Sequence, residues 1–589
     1  MEIYKTLRSQ YSTQLIEINK KYSSVSFARL ISILFFILFI YLYVSIEQTM
    51  YLFAAMLALA LFFVLMRYHG IIGKERNLKQ ALVKINDDEI DYLSRKDIPF
   101  DNGAVYNDFT HPYAYDLDVY GEHSLFQNLN RTQTFIGRKT LAARLLQLLP
   151  NTEILKNQQS IKELAVKLDW RQHFVALGKI SNDNKNSYDT ITRWSTSTTA
   201  PLSKETIVLS FVLPVVLGAT LIAYLITSNE ALLSVFSFLF VFNLSFTGKF
   251  FRRISSEIQN ADNVDKIITQ YSIIVSTIEN ETFTSDKLIE LQQKLKGNKT
   301  ASSSLKQLSI LFSRMDSISN FVTTLLFNGL FLFHLHNLKA LISWKKDNGD
   351  ALAEWMGVIG EMEFLNSLAN FSYNNDNFAF PQLNSAYNIS FKDLSHPLLN
   401  PATRIGNDTA FHPQSFMILT GSNMSGKSTF LRSLGINMVL AGIGAPVCAQ
   451  TANIHPMPVL VSMRLSDSLS DSESYFYAEI KRLKQIMDAL QGQRAFVLLD
   501  EILRGTNSDD KRNGTIEVVK KIIAKNAVGA IATHDIEVCL TTDEYPDQLT
   551  NKCFEVEIVN DDLHFDYKLR DGICKNRSAT FLMKKMEII

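Results

Sequence analysis

The chain has 589 residues, which is more than one hydrophobic core of about 250–300 residues accommodates, so at least two domains are expected. Lysine plus arginine and aspartate plus glutamate balance at 59 each. This argues against a purely electrostatic nucleic-acid binder but leaves room for a local basic groove. The four cysteines lack CxxC spacing, which excludes the usual zinc and secreted disulfide patterns and favours a reducing cytosolic setting.

The first predicted elements are a cytoplasmic helix over residues 1–27 and a membrane hairpin over residues 28–66. The hairpin consists of two apolar runs that are uncharged after Arg29, joined by a very short connection. A polar segment precedes the first run and no small-residue cleavage site follows it, so a cleavable signal peptide is not expected. Residues 67–112 are predicted to form a linker.

A second membrane hairpin is predicted over residues 206–247, after a helix-forming segment over 113–205. Basic residues precede and follow each hairpin, as Lys204 and Lys249 do here, while the turn inside each hairpin is acidic. By the positive-inside rule, both termini and the segment between the hairpins are cytoplasmic. The sequence therefore predicts a multi-pass protein of the cytoplasmic (inner) membrane, with the lipid bilayer as a partner.

Residues 248–380 have the 3.6-residue periodicity of helices. A third apolar stretch, 321–335, is shorter and contains Asn328 and His334, which favours a buried helix of the soluble part over a fifth membrane span. After residues 373–381 the sequence changes to short β-branched runs that alternate with helices. This change predicts a separate α/β domain over the remaining residues, 381–589.

The strongest motif of that domain is G-x-x-x-x-G-K-[ST] over residues 421–428, between an apolar strand and an amphipathic helix. In such a loop the backbone N–H groups and the helix dipole hold phosphate, the lysine reaches the terminal phosphates and the last hydroxyl binds Mg²⁺. The sequence therefore predicts ATP and Mg²⁺ as cofactors. The candidate ATP-binding residues are Gly421, Ser422, Asn423, Met424, Ser425, Gly426, Lys427, Ser428 and Thr429.

Two further strand ends carry polar residues. The apolar run 495–499 ends in Asp500 and Glu501, and the run 528–532 is followed by His534. Asp500, with Ser428, is predicted to hold the magnesium, while Glu501 is predicted to act on the attacking water. A histidine at this position can bond to the γ-phosphate or to the water, so Glu501 and His534 are the candidate catalytic residues.

These residues resemble the ATPase domain of MutS-type DNA mismatch repair proteins, a branch of the ABC (P-loop) ATPases. The P-loop TGSNMSGKST (420–429), the Walker B strand with its D-loop LLDEILRGTNSDD (498–510) and the switch sequence ATHD (532–535) carry the likeness. DSLSDSESYFYAEIKRL (467–483) is similar to the signature segment. The resemblance implies that Ser474 reaches the nucleotide of a partner subunit, and hence a homodimer with two-fold symmetry.

The resemblance extends upstream to residues 116–150, and it implies that 113–205 and 248–380 form an all-α core and lever interrupted by the second hairpin. Two departures stand out. Ser422 and Ser425 occupy positions where proline and glycine are usual. The residues before the core are a helix, a hairpin and a short linker, so we expect the mismatch-recognition domain with its phenylalanine wedge to be missing. The second hairpin lies roughly where the family has its DNA clamp, so we expect membrane helices to replace the clamp.

Two functions follow from the resemblance. The first is a membrane-anchored MutS-family protein that binds and hydrolyses ATP and is related to DNA mismatch repair, with DNA binding through the lever left open. The alternative is a membrane mechanical ATPase, in which a MutS-type ATPase domain drives mechanical work that does not involve DNA. Four basic residues near the lever fit phosphate contacts and a solvated helix face equally well: Arg131, Arg138, Lys139 and Arg144.

Overall fold

The computed structural model describes residues 1–181, 183–261, 264–297, 299–317, 321–464, 475–559 and 562–574. Up to about residue 380 the chain is helical, and beyond it strands alternate with helices. This arrangement agrees with the predicted order of an all-α part followed by an α/β domain.

The first hairpin is formed by two helices of 45 residues each, α1 (Glu2–Ile46) and α2 (Thr49–Leu93). Glu47, in the left-handed conformation, ends α1. At 1.5 Å per residue each helix is about 68 Å long, roughly twice the thickness of a bilayer's hydrocarbon core. The predicted linker over residues 67–112 is therefore helical up to Leu93, and both helices extend well beyond the apolar runs.

Within the described ranges, five α-helices lie between the hairpins, and six follow the second hairpin before the α/β region. The first group is α3 (Leu125–Leu129), α4 (Phe135–Leu145), α5 (Asn151–Val166), α6 (Leu168–Ser181) and α7 (Lys185–Thr196). The second hairpin is α8 (Lys204–Thr227) and α9 (Glu230–Gly248). The later group is α10 (Phe251–Ala261), α11 (Val264–Glu279), α12 (Asp286–Gln293), α13 (Ala301–Ser317), α14 (Phe321–Phe331) and α15 (Phe333–Asn374).

Helix α14 differs from the expected buried helix of the soluble part. It packs on the second hairpin, where Asn243 donates a hydrogen bond to the Gly329 carbonyl at 2.8 Å. Its other side leaves Val322 and Phe331 more than half exposed. The chain then bends by 78° into α15. The expectation was wrong because an apolar run at helical spacing does not reveal which neighbour covers it.

By length and composition, four described helices could cross a membrane: α1, α2, α8 and α9. A fifth span is counted if α14 and α15 are taken as one bent unit.

The α/β region contains a six-stranded sheet in the order β12-β9-β4-β8-β7-β6, parallel except for β12. Its strands are β4 (Phe416–Gly421), β6 (Val459–Ser462), β7 (Phe496–Asp500), β8 (Val528–Ala532), β9 (Leu549–Phe554) and β12 (Leu569–Asp571). A four-stranded sheet has the order β1-β5-β2-β3, and β10 pairs with β11. These strands are β1 (Gln382–Leu383), β2 (Ile389–Leu394), β3 (Asn407–Phe411), β5 (Thr451–Ile454), β10 (Glu557–Val559) and β11 (Asp562–His564).

Among the residues described for this region, four helices accompany the sheets: α16 (Lys427–Gly442), α17 (Tyr475–Gly492), α18 (Ser508–Ala524) and α19 (Ile536–Glu544). Along each central strand the side chains alternate between two cores. Met417 and Leu419 join the core that continues into the helical part, whereas Phe416 and Ile418 join a second core on the opposite face. The large core therefore joins the helical part directly to the face of the sheet that carries α16.

Candidate nucleotide site

The P-loop connects the central strand β4 to the N-terminus of α16. Three of its residues have positive φ, Gly421 at 155°, Met424 at 67° and Gly426 at 101°. A Cβ on Gly421 would lie 2.6 Å from the Ser425 hydroxyl and 2.9 Å from the Phe554 carbonyl, so only glycine fits this close approach. The strand end, tight loop and helix N-terminus thus direct backbone N–H groups to one point, as phosphate binding requires.

Lys427 is the first residue of α16 and is buried. Its ammonium donates to the carbonyls of Gly421 and Ser422, at 2.9 Å each, and burial lowers the pKa of this lysine. The hydroxyls of Ser422 and Ser425 are also buried, and neither has a hydrogen-bond partner within the described part of the chain. A buried cation beside unsatisfied hydroxyls is a suitable environment for phosphate oxygens.

Ser428 and Asp500 meet across the sheet edge. The Ser428 hydroxyl donates to Asp500 Oδ2 at 2.6 Å, and burial raises the pKa of this carboxyl. Asp500 ends β7, which lies one strand away from β4 because β8 runs between them. A hydroxyl and a carboxylate are oxygen ligands of the kind that Mg²⁺ takes beside a nucleotide, so this pair fits the cation.

Glu501 lies next to His534, with Oε1 and Nε2 2.5 Å apart. Glu501 has a φ of +47°, and its N–H donates to the carbonyl of Ala532, the last residue of β8. The hydrogen bond from His534, aided by the charges of Arg504 and Lys427, lowers the pKa of Glu501 to about 2. The carboxylate is therefore ionised at neutral pH and fixed at the strand edge beside Asp500.

Comparison with known proteins identifies the region that contains this geometry. Residues 417–586 match the family MutS domain V. The C-terminal part of the chain is related to the MutS family. DNA mismatch repair protein MutS of Methanococcoides burtonii is 33% identical over 186 residues, which cover 30% of this chain and 21% of that protein.

Two further relatives are also MutS proteins. Residues 417–586, which match MutS domain V, are called the MutS-type region below. MutS protein homolog 4 of Homo sapiens is 27% identical over 201 residues, 32% of this chain and 21% of that protein. DNA mismatch repair protein MutS of Thermotoga petrophila is 30% identical over 189 residues, 31% of this chain and 24% of that protein. The matches thus span about a fifth to a quarter of the relatives' length.

The MutS-type region brings together most of the residues predicted from the sequence. Lys427, Ser428, Asp500, Glu501 and His534 converge at the carboxyl ends of β4, β7 and β8. The other P-loop residues line the same turn, with Asn423, Met424 and Thr429 exposed. The predicted signature serine, Ser474, lies outside the described residues.

One residue that the sequence did not single out holds the loop after the Walker B strand. The buried Glu479 of α17 accepts hydrogen bonds from the N–H groups of Leu503 and Arg504, at 2.7 and 3.2 Å. This contact fixes α17, whose first residues belong to the signature-like segment 467–483, to the loop that follows Glu501. Glu479 lies within the signature-like segment 467–483, but no motif position marked it.

A second overlooked contact joins the MutS-type region to the helical part. Asp116 accepts hydrogen bonds from the N–H groups of Met463 and Arg464, both at 2.8 Å, and pairs with Arg482. Asp118 pairs with Arg464 and with Arg432, which lies one helical turn beyond Ser428. The resemblance to the MutS family begins at Asp116 and so indicated that this residue matters. It did not predict which residues Asp116 and Asp118 contact.

The basic residues near the lever serve mainly internal contacts. Arg131 is buried against Glu89, Arg144 pairs with Glu361, and Arg138 donates to the Gln133 carbonyl. The solvated-face interpretation is therefore wrong for Arg131, and its guanidinium is not accessible to DNA phosphates. Lys139 lies near the Tyr188 ring, 5.9 Å from its centroid.

Proposed function

We propose that this chain is a Mg²⁺-dependent ATPase of the MutS type, with an ABC (P-loop) fold, anchored in the cytoplasmic membrane by its helical hairpins. The observation that carries the proposal is the convergence of a P-loop, an Asp-Glu pair and a histidine at three neighbouring strand ends. The match to MutS domain V supports the same conclusion from sequence. Ligands bind at the carboxyl edge of parallel sheets, where these residues lie.

Each residue has a defined task in this mechanism. Lys427 and the unsatisfied hydroxyls of Ser422 and Ser425 hold the phosphates of ATP, while Ser428 and Asp500 hold Mg²⁺. When bound, the metal neutralises charge on the phosphate oxygens.

Water is activated by the remaining pair. The ionised Glu501 positions the attacking water and accepts its proton. His534 donates to Glu501 Oε1 and so keeps this carboxylate in one orientation.

The proposal includes a homodimer. The resemblance implies that Ser474 reaches the γ-phosphate of a second copy, and the sequence contains one P-loop motif. In the proposed dimer each of two equivalent sites therefore takes its signature serine from the other subunit. The contact of Glu479 with the loop after Glu501 supports this arrangement, because it links the signature helix to the catalytic carboxylate. Light scattering of the Glu501→Gln variant with ATP tests it, and monomers alone would contradict it.

Membrane anchoring rests on the exposed apolar surface of the hairpins. Phe53 and Leu57 of α2 and Leu225 and Phe238 of the second hairpin are each about 70% exposed. Continuous apolar surfaces of this kind are rare on soluble proteins and are stable within a bilayer. Retention of the protein in membranes after a salt wash supports anchoring, and its release without detergent would contradict it.

Two candidates exist for the work that hydrolysis drives. Movement of a membrane element is favoured because α2 continues from its apolar half to Glu89, which is buried beside residues of the helical core. A DNA-responsive ATPase related to mismatch repair is favoured by the names of the relatives, which are DNA mismatch repair proteins. The similarity to those proteins covers the C-terminal part of this chain.

One assay separates the two candidates. ATP hydrolysis by the detergent-purified protein is measured alone and with duplex, mismatched and branched DNA, with Glu501→Gln as the inactive control. We expect hydrolysis that depends on Glu501 and is unchanged by DNA, which supports movement of a membrane element. Stimulation by DNA that weakens as salt is raised would instead establish the DNA-responsive function. Equal hydrolysis by wild type and Glu501→Gln would refute the proposed ATPase.

A further inference from the structure

A basic cleft lies where the second hairpin meets the helical part. It has a volume of about 890 Å³ and is bordered by α8, α15 and the segment after α12. Four lysines line it, Lys294, Lys296, Lys299 and Lys339, against two carboxylates, Asp347 and Glu354. Its volume lies within the range of about 300–1,000 Å³ that is usual for small-ligand sites.

Most of this positive charge is not neutralised internally. Lys294 is 3.9 Å from Glu354. Within the described part of the chain, no carboxylate lies within 4.0 Å of the ammonium groups of Lys296, Lys299 or Lys339. The cleft thus offers three cations to an anionic ligand, and its size and composition favour a compact group such as a phosphate ester.

The position of the cleft relative to the bilayer identifies the source of that phosphate. Lys339 lies over the ring of Phe211, 4.9 Å from its centroid, and His336 Nε2 is 3.0 Å from the Ser210 carbonyl. Phe211 is about 10 Å along α8 from Lys204, the cytoplasmic end of this span in the proposed orientation. Lys339 therefore lies toward the cytoplasmic end of this span, beside an aromatic residue.

We propose that this cleft binds the phosphate headgroup of an anionic phospholipid of the cytoplasmic leaflet. The inference rests on the proposed membrane anchoring of the second hairpin. The lysines bind the phosphate oxygens, and the Phe211 side of the cleft faces the start of the acyl chains. Basic pockets between membrane helices on the cytoplasmic side are suited to such headgroups.

The test compares lipid retention by full-length variants. The protein is reconstituted in phosphatidylcholine vesicles that contain a minor fraction of phosphatidylglycerol, and it is then extracted in mild detergent. Mass spectrometry counts each lipid retained per protein. The cleft variant is Lys296→Gln with Lys339→Gln. The matched control is Lys392→Gln with Lys484→Gln, which removes two exposed lysines from the α/β region.

We expect the wild type and the control to retain phosphatidylglycerol in preference to phosphatidylcholine. The cleft variant should lose this preference by about tenfold or more, because each lysine near the surface contributes substantially to anionic lipid binding. Equal retention of the two lipids by the wild type would overturn the lipid site, as would an unchanged preference in the cleft variant.

Further measurements in the same experiment test for other ligands of the cleft and test membrane anchoring separately from the lipid site. Displacement of the retained lipid by inorganic phosphate at low concentration would assign the cleft to a free phosphate compound. Lysine-dependent binding of duplex DNA without anionic lipid would assign it to nucleic acid, and either result overturns the lipid assignment. Release of the wild type from vesicles by salt alone would refute membrane anchoring, and the lipid site with it, whereas an anchored wild type that retains both lipids equally refutes only the site.

Discussion

Removing the carboxylate of Glu89 should strongly destabilise the junction between the first hairpin and the helical core. Glu89 Oε1 accepts a hydrogen bond from Arg131 Nε at 2.5 Å, and both side chains are buried. Asn370 and Asn374 of α15 also donate to this carboxylate, at 2.9 and 3.2 Å. The Arg131 guanidinium lies 3.6 Å from the centroid of the Phe100 ring, so little water can replace the lost partner.

The magnitude follows from leaving a charge unpaired in the interior. Glu89→Ala removes one member of a buried ion pair, and such changes cost about 3–5 kcal/mol. Two asparagine amides lose an acceptor at the same time, which acts in the same direction. For a large domain this corresponds to a fall in unfolding temperature on the order of 10 °C.

Thermal unfolding of the detergent-purified protein, followed by intrinsic fluorescence, measures this effect. Glu17→Ala is the matched control, because Glu17 is an exposed glutamate of the same hairpin, and it should unfold within about 1 °C of the wild type. Glu89→Met combined with Arg131→Met should recover much of the loss, since no unpaired charge remains. An unfolding temperature of Glu89→Ala equal to that of the wild type would refute the reasoning.

Three other changes test the site and the packing around it. His534→Ala should lower ATP hydrolysis by about 10²-fold or more while ATP binding persists, because it removes the residue that orients Glu501, the proposed catalytic carboxylate. Burial raises the pKa of Glu363 to about 7 from the ordinary 4.5, so its contribution to stability is greatest below pH 4.5 and falls by about 3 kcal/mol as pH rises through 7. Thermal unfolding at pH 5.5 and 8 should show about 2 kcal/mol of this loss in the wild type and none in Glu363→Gln. Gly529→Ala would place a Cβ 1.9 Å from the Val497 carbonyl, so it should cost several kcal/mol and reduce the yield of folded protein on gel filtration.

Each of these changes has a comparison that isolates its cause. His412→Ala, at an exposed histidine, should hydrolyse ATP as the wild type does. Glu354→Gln, at an exposed glutamate of the same helix as Glu363, should keep the pH dependence of the wild type. Gly492→Ala should fold normally, since no atom lies within 4 Å of the added Cβ. Equal behaviour of a test variant and its comparison would contradict the corresponding prediction.

The candidate nucleotide site and the helical hairpins could be predicted because their signals are local. The shape of a glycine-rich loop between a strand and a helix, such as residues 421–428, is determined by residues that are adjacent in sequence. The lengths of the apolar runs of α8 and α9 can likewise be read directly from the sequence. Strand ends that carry Asp500 and His534 could be placed together because parallel strands share one carboxyl edge. The later match to MutS domain V agrees with the family that these local patterns indicated.

Tertiary structure decided the contacts between distant parts of the chain. Arg131 is buried against Glu89 because α2 continues as a helix as far as Leu93. The second half of this helix is polar, so the sequence did not indicate that the helix extends beyond its apolar run. Glu479 bonds to the loop after Glu501, and these residues are far apart in sequence. No repeating pattern in the sequence predicts this contact. Helix α14 was assigned to the soluble interior, although it packs on the second hairpin. An apolar pattern shows that a face must be covered, whereas only the folded chain determines what covers it.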